Sequence, residues 1–157
     1  MTKKTRTTKR AGTARQVNSL RDDSRRIVLV GLRLALASLG HALDPEYSLD
    51  DHFVAAIDAA YSLAASVCEA GTVHVERGKG PSIKTFLAVA DLLGLSAEWR
   101  AEARLLRGIT DLEMFYDGDV PAPELVKRTL VWAGTLYVAA LEFALKWYAD
   151  LKTDDTV

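Results

Sequence analysis

Apolar residues recur along this chain at helical spacing. They crowd together from Ile27 to Leu43, and Pro45 closes that segment. Ser48 is placed to cap a second helix, with Asp50 and Asp51 favourably set in its first turn. Along it Phe53, Ile57, Tyr61, Ala64 and Cys68 step by 4, 4, 3 and 4, which makes one helix face, and Gly71 ends it. Residues 72–80 read as a connection with Gly78 and Gly80 as breakers. Pro81 is expected at the first position of a short third helix that runs to about Leu93, before Gly94. Ser96 caps a fourth helix, where Leu105, Ile109, Leu112 and Tyr116 step by 4, 3 and 4. Asp117-Gly118-Asp119 is a turn. A long last helix is expected from about Ala122 to Leu151. Its middle, Leu130 to Leu145, is apolar nearly all round, which predicts the most buried element.

Only Thr72 to Glu76 alternates like a strand, and five residues make no sheet. The expected fold is therefore all-α, a four- to five-helix up-and-down bundle. Its 157 residues suit one domain with a sizeable core. Residues 1–18 read as a disordered basic arm with almost nothing to bury, 19–151 as the bundle and 152–157 as a polar tail.

Charge separates the arm from the body. Residues 1–26 carry nine basic and two acidic residues, net +7, and the rest carries 11 basic against 19 acidic, net −8. Lys3, Lys4, Arg6, Lys9 and Arg10 are the candidate contacts to RNA or DNA phosphates, an attraction that is independent of base sequence. No aromatic side chain in the arm offers a stacking surface for single strands. A solubilising tail and a transit peptide are the other readings of the same segment. The uncharged run Thr129–Leu141 has 13 residues, and Arg33 breaks the first apolar run. Both fall short of the ~18–20 residues a bilayer needs, so no membrane contact and a cytoplasmic location are expected.

The ordinary catalytic and cofactor patterns are not met. Gly78-Lys79-Gly80-Pro81-Ser82-Ile83-Lys84-Thr85 approaches a phosphate loop, but Ile83 stands where the second glycine must let backbone N–H groups wrap the phosphate. His41, His52 and His74 form no i,i+3 or i,i+4 pair, so no metal is expected, and no other cofactor. His52 reads as an exposed first-turn residue. Cys68 lies on the apolar face of the second helix, as a buried thiol rather than a nucleophile.

The fourth helix carries a second stripe: Arg100, Arg104, Arg107 and Asp111 step by 4, 3 and 4, with Met114 three further on. In the simplest reading this is a solvated face, with Arg107 and Asp111 as an i,i+4 pair. Three segments give it another meaning. Ala59-Ala60-Tyr61-Ser62-Leu63-Ala64 runs to Glu69-Ala70-Gly71. Arg104-Leu105-Leu106-Arg107 is followed by Phe115-Tyr116-Asp117-Gly118. Pro121 to Ala144 is rich in alanine and aromatics. Together they resemble the HEPN superfamily, small all-α bundles of prokaryotic toxin–antitoxin and defence systems, over roughly residues 50–150.

The resemblance implies a homodimer, and partners such as a nucleotidyltransferase-type protein or RNA. In active members of that superfamily an arginine is followed, after four to six residues, by a histidine and often by a tyrosine two positions further on. Paired subunits assemble these into a metal-independent ribonuclease site. Laid on this chain, Arg107 takes the arginine position, Met114 the histidine position and Tyr116 the tyrosine position. A thioether cannot shuttle protons, so the resemblance implies a non-catalytic binding or assembly module, with Arg104, Arg107 and Tyr116 as ligand or phosphate contacts. Two alternatives stay open. One is a ribonuclease toxin working through Arg107, Tyr116 and a carboxylate base, Asp111 or Glu113. The other is an unrelated helical adaptor with a nucleic-acid-binding arm.

Overall fold

Among the described residues five helices follow one another in the expected order: α1 (Thr8–Leu43), α2 (Leu49–Ala70), α3 (Ile83–Leu93), α4 (Ala97–Asp111) and α5 (Pro123–Asp154). The structure, a computed structural model, describes the backbone over residues 8–71, 82–111 and 120–154, and side chains over 22–71, 82–107 and 120–146. Among the described residues there is no strand. The alternating segment 72–76 and the turn at 117–119 lie outside them, as do residues 1–7 of the arm. α1 starts at Thr8, earlier than the boundary at residue 18 that composition suggested. Residues 8–21 hold Lys, Arg, Ala and Gln and no proline, so helix propensity permits the extension where burial does not require it.

The helix ends are set by their caps. Ser48 takes an extended conformation and its hydroxyl accepts the Asp51 N–H at 3.3 Å. The same hydroxyl lies 2.6 Å from an Asp50 carboxylate oxygen, and this hydrogen bond holds the Asp50 carboxyl below the usual range. Ser96 accepts the Trp99 N–H at 3.1 Å, as expected of an N-cap. At α3 the cap is Ser82 and the first helical residue is Ile83, two residues later than the expected start; Pro81 itself lies outside the described residues. The Ser82 hydroxyl satisfies the Lys84 N–H, which leaves no need for a proline at that point. α3 ends where Gly94 enters the left-handed region at φ 65°, and the Leu95 N–H closes back on the Ala90 carbonyl at 2.9 Å.

α1 and α2 share the most extensive packing contact, and α2 and α5 the next. α2 lies at the centre of the bundle. Its predicted face, Phe53, Ile57, Ala64 and Cys68, is buried, with Tyr61 half-buried, and Ala56, Ala59, Ala60, Leu63 and Val67 widen it. The most buried helix is thus α2 and not α5: 56% of its apolar stretch is buried, against 33% for that of α5. Hydropathy alone misplaces α5, because its outer side is apolar and yet faces away from the core.

α4 requires a similar correction. Its inward face is Trp99, Ala103 and Leu106, whereas Leu105 is 47% exposed and Ile109, Leu112 and Tyr116 lie outside the described side chains. The two stripes have the same 3–4 spacing, and the tryptophan has the larger area to bury.

Three helical stretches, Asp22–Leu43, Leu49–Ala70 and Pro123–Lys146, are long and apolar enough by length and composition to cross a membrane. Counting uninterrupted apolar runs understates them, since each helix continues through an isolated charge such as Arg33, Asp58 or Glu142.

Candidate functional site

α3 and α4 pack on each other and on α5 around an aromatic cluster. The ring of Phe86 meets Trp132 edge-on at 5.0 Å and Trp99 at 6.3 Å, and Tyr61 of α2 reaches it at 6.4 Å. Trp99 and Trp132 stack at 4.9 Å with their planes 18° apart. Each indole N–H donates to the other residue's backbone carbonyl, Trp99 Nε1 at 3.0 Å and Trp132 Nε1 at 3.2 Å. Two buried donors are satisfied by one reciprocal pair, which fixes how α4 lies on α5.

Outside this pair a groove of about 480 Å³ runs between α4 and α5. Trp99, Trp132 and Val131 supply its apolar wall, and Glu102, Lys127, Arg128 and Thr135 its polar one. Arg128 donates to Glu102 Oε2 at 2.7 Å, while Glu102 Oε1 is buried with no hydrogen-bond partner among the described residues. The Arg128 side chain is 55% exposed, and the guanidinium has donors beyond the one that meets Glu102. Sequence reading missed this groove. Glu102 and Arg128 lie 26 residues apart on different helices, and nothing local joins them.

The arginine stripe of α4 is divided by its neighbours. Arg100, half-buried, pairs with Asp91 of α3 and donates its Nε to the Leu95 carbonyl at 3.3 Å. Arg104 is exposed and Arg107 half-buried one turn further on. Asp111 ends the helix with its side chain outside the described set, so the expected Arg107–Asp111 pair falls outside it too. Glu113, Met114 and Tyr116 lie outside the described residues. Of the arm, Lys3, Lys4 and Arg6 lie outside them, and Lys9 and Arg10 are placed by backbone alone, in the first turn of α1.

The histidines sit elsewhere. His41, in the last turn of α1, stacks on Tyr47 at 3.7 Å. His52 is half-buried rather than exposed, with its Nε2 2.5 Å from the Asp44 carbonyl, and so ties the α1–α2 turn together. His74 lies outside the described residues. Both described histidines belong to α1 and α2, while α4 packs on α3 and α5. Among the described residues no group of three or more His, Cys, Asp and Glu side chains is arranged to hold a metal.

Cys68 is fully buried, with its Sγ 3.7 Å from the Thr85 carbonyl. Burial pushes its thiol up to about 11, from 9.0. The native thiol is therefore expected to stay unlabelled by an aromatic disulfide reagent at pH 8 and to react fully once urea unfolds the chain. The unfolded thiol loses its proton near pH 9 and the folded one near 11, so the fold weakens as pH rises across that interval. Rapid labelling of the folded protein at pH 8 would place Cys68 at the surface.

The chain matches no family model, no curated protein and no solved structure.

Proposed function

We propose that this protein is a non-catalytic binding and assembly module of HEPN-like kind, working in the cytoplasm of a prokaryote as part of a toxin–antitoxin or defence system. The observation that carries the reading is Met114, which stands seven positions after Arg107 where the resemblance calls for a histidine. Two features of the fold support it. His41 and His52 are engaged at the α1–α2 turn. Arg104 and Arg107 are positioned one turn apart on α4, spaced to hold a phosphate-bearing partner without turning it over. Partners consistent with this chemistry are RNA, a nucleotidyltransferase-type protein and a second copy of the chain, with the basic arm adding sequence-independent attraction to RNA or DNA.

Purified protein is expected not to cleave single-stranded RNA above background, since positioned acid–base groups supply ~10²–10⁴-fold and a thioether supplies none of it. Met114→His restores the arginine–histidine–tyrosine spacing and is expected to give ribonuclease activity that Arg107→Ala then removes. Wild-type cleavage lost in both Arg107→Ala and Asp111→Asn would establish the ribonuclease instead, with Asp111 as its base.

A further inference from the structure

The outer side of α5 carries an unused seam. Lys127, Val131, Gly134, Val138, Leu141 and Leu145 step by 4, 3, 4, 3 and 4, the spacing of a helix that packs against another helix. These side chains are not turned into the bundle. Val131 is 71% exposed, Val138 54%, Leu141 38% and Leu145 58%. A Cβ built at Gly134 would meet nothing within 4 Å. The inward side of the same helix, Trp132, Ala133, Leu136, Ala140 and Ala144, is buried. α5 is therefore apolar on two opposite sides, and among the described residues only one of them is covered.

We propose that this seam binds the same seam of a second copy, with the two α5 helices antiparallel. The spacing and the charges agree on that arrangement. An antiparallel pair that sets Val138 against Gly134 of the second copy also sets Val131 against Leu141, so a small residue lies opposite a larger one at the centre. The flanking positions, seven apart, are Arg128, Thr135 and Glu142, and all three are exposed. In this register Arg128 of each copy faces Glu142 of the other, and Thr135 faces Thr135 on the two-fold axis. A parallel pair would set these positions against Pro123, Leu130 and Tyr137 instead, with no charge to meet. Arg128 already donates to Glu102 through one nitrogen, which steadies the guanidinium and leaves its remaining donors for a carboxylate across the axis.

The area is adequate as the apolar centre of such a contact. Four Val and Leu side chains at these exposures present on the order of 300–400 Å², the size at which an apolar patch marks an interaction site. That is roughly half of one partner's share of a standard interface, and the stems of Lys127 and Arg128 with the adjoining α4–α5 groove supply more. The paired stretch from Lys127 to Leu145 would be roughly 28 Å long.

A bilayer is the other apolar environment that would cover α5, which is long and apolar enough to enter one. The charge along its flank argues against it. Arg128, Glu142 and Lys146 lie on one side of the apolar stripe, and a spanning helix would carry the Glu142 carboxylate into hydrocarbon, which is costly. The inference rests on the exposure and spacing of α5 and stands apart from the family resemblance.

Sedimentation velocity of the full chain tests it, with two charge variants and one seam variant. Wild type is expected to sediment as a dimer. Val138→Asp should raise the dimer dissociation constant roughly 30-fold or more, with an unchanged helical spectrum, because a charge then sits at the centre of the interface. Arg128→Glu and Glu142→Arg should each be monomeric alone. Mixed in equal amounts they should form a heterodimer, since each facing pair is then opposite in sign. A wild-type dimer that none of these variants alters would place self-association on another face and overturn the α5 seam, while leaving the assembly reading intact. A monomeric wild type would overturn the seam outright. So would a monomer that co-sediments with phosphatidylcholine–phosphatidylglycerol vesicles and loses that binding in Val138→Asp, which would assign the seam to a membrane.

Discussion

Trp99→Ala is expected to cost about 3–5 kcal/mol, enough to bring a domain of this size close to unfolding under ordinary conditions. The indole is buried, stacks on Trp132, meets Phe86 edge-on and donates to the Trp132 carbonyl. Truncation removes all of these contacts and leaves a hole where α3, α4 and α5 meet. Trp132→Ala should cost a similar amount for the reciprocal reason. The double variant should cost clearly less than the two added together, because the ring stacking is already lost in either one and both leave the same hole, although each indole bond to a backbone carbonyl goes only with its own indole. Trp99→Phe keeps most of the apolar area and loses only the donor. The Trp132 carbonyl still has its helical partner four residues on, so about 1–2 kcal/mol is expected. Urea denaturation followed by circular dichroism measures all four. Additive costs in the double variant would mean that the two rings act independently, and that α4 is held on α5 by other contacts.

That pair also marks how far the fold can be read from sequence. The caps at Ser48, Ser96 and Gly94 are local signals, each a residue type whose side chain or backbone freedom ends a helix, and each lies where reading placed it. The inner face of α2 was legible for the same reason, since Phe53 through Cys68 satisfies a helical period with no competing stripe. Ambiguity begins where two stripes have equal spacing. On α4 the choice between Trp99–Ala103–Leu106 and the stripe through Leu105 depends on the partner helix, and the reciprocal indole bonds to a residue 33 positions away leave no local trace. On α5 hydropathy reports that two sides are apolar and not which of them the bundle covers. The 4-3-4-3-4 spacing from Lys127 to Leu145 is visible in the sequence, but its exposure is not.

Candidate chemistry divides in the same way. Residue identity alone places Met114 opposite the expected histidine. That Arg100 is anchored on Asp91 and Leu95 while Arg104 faces solvent follows only from packing. The Arg128–Glu102 contact, which borders the groove, joins two helices whose sequences contain nothing that pairs them.

The close approach of α1 to α2 gives the last large effect. A Cβ at Gly31 would lie 2.4 Å from Ser66 Oγ and 2.5 Å from Ser66 Cβ, far inside contact distance. Neither atom is the free end of a long side chain, and the Ser66 hydroxyl is held on the Ser62 carbonyl at 2.9 Å. Gly31→Ala must therefore push the two helices apart. It gains up to about 1 kcal/mol of helix propensity and loses about 1–3 kcal/mol to overpacking, so a net loss is expected, and Gly31→Leu should lose considerably more. Ser66→Gly should cost roughly half to one kcal/mol by itself, from propensity and the lost hydroxyl contact. The two changes together should recover most of the loss seen in Gly31→Ala, because the glycine has only moved to the opposite helix and the gap between backbones is kept. A double-mutant cycle in urea measures this as a favourable coupling of about 1 kcal/mol or more between positions 31 and 66. Zero coupling would mean that α1 and α2 pack through other residues, with Gly31 open to solvent.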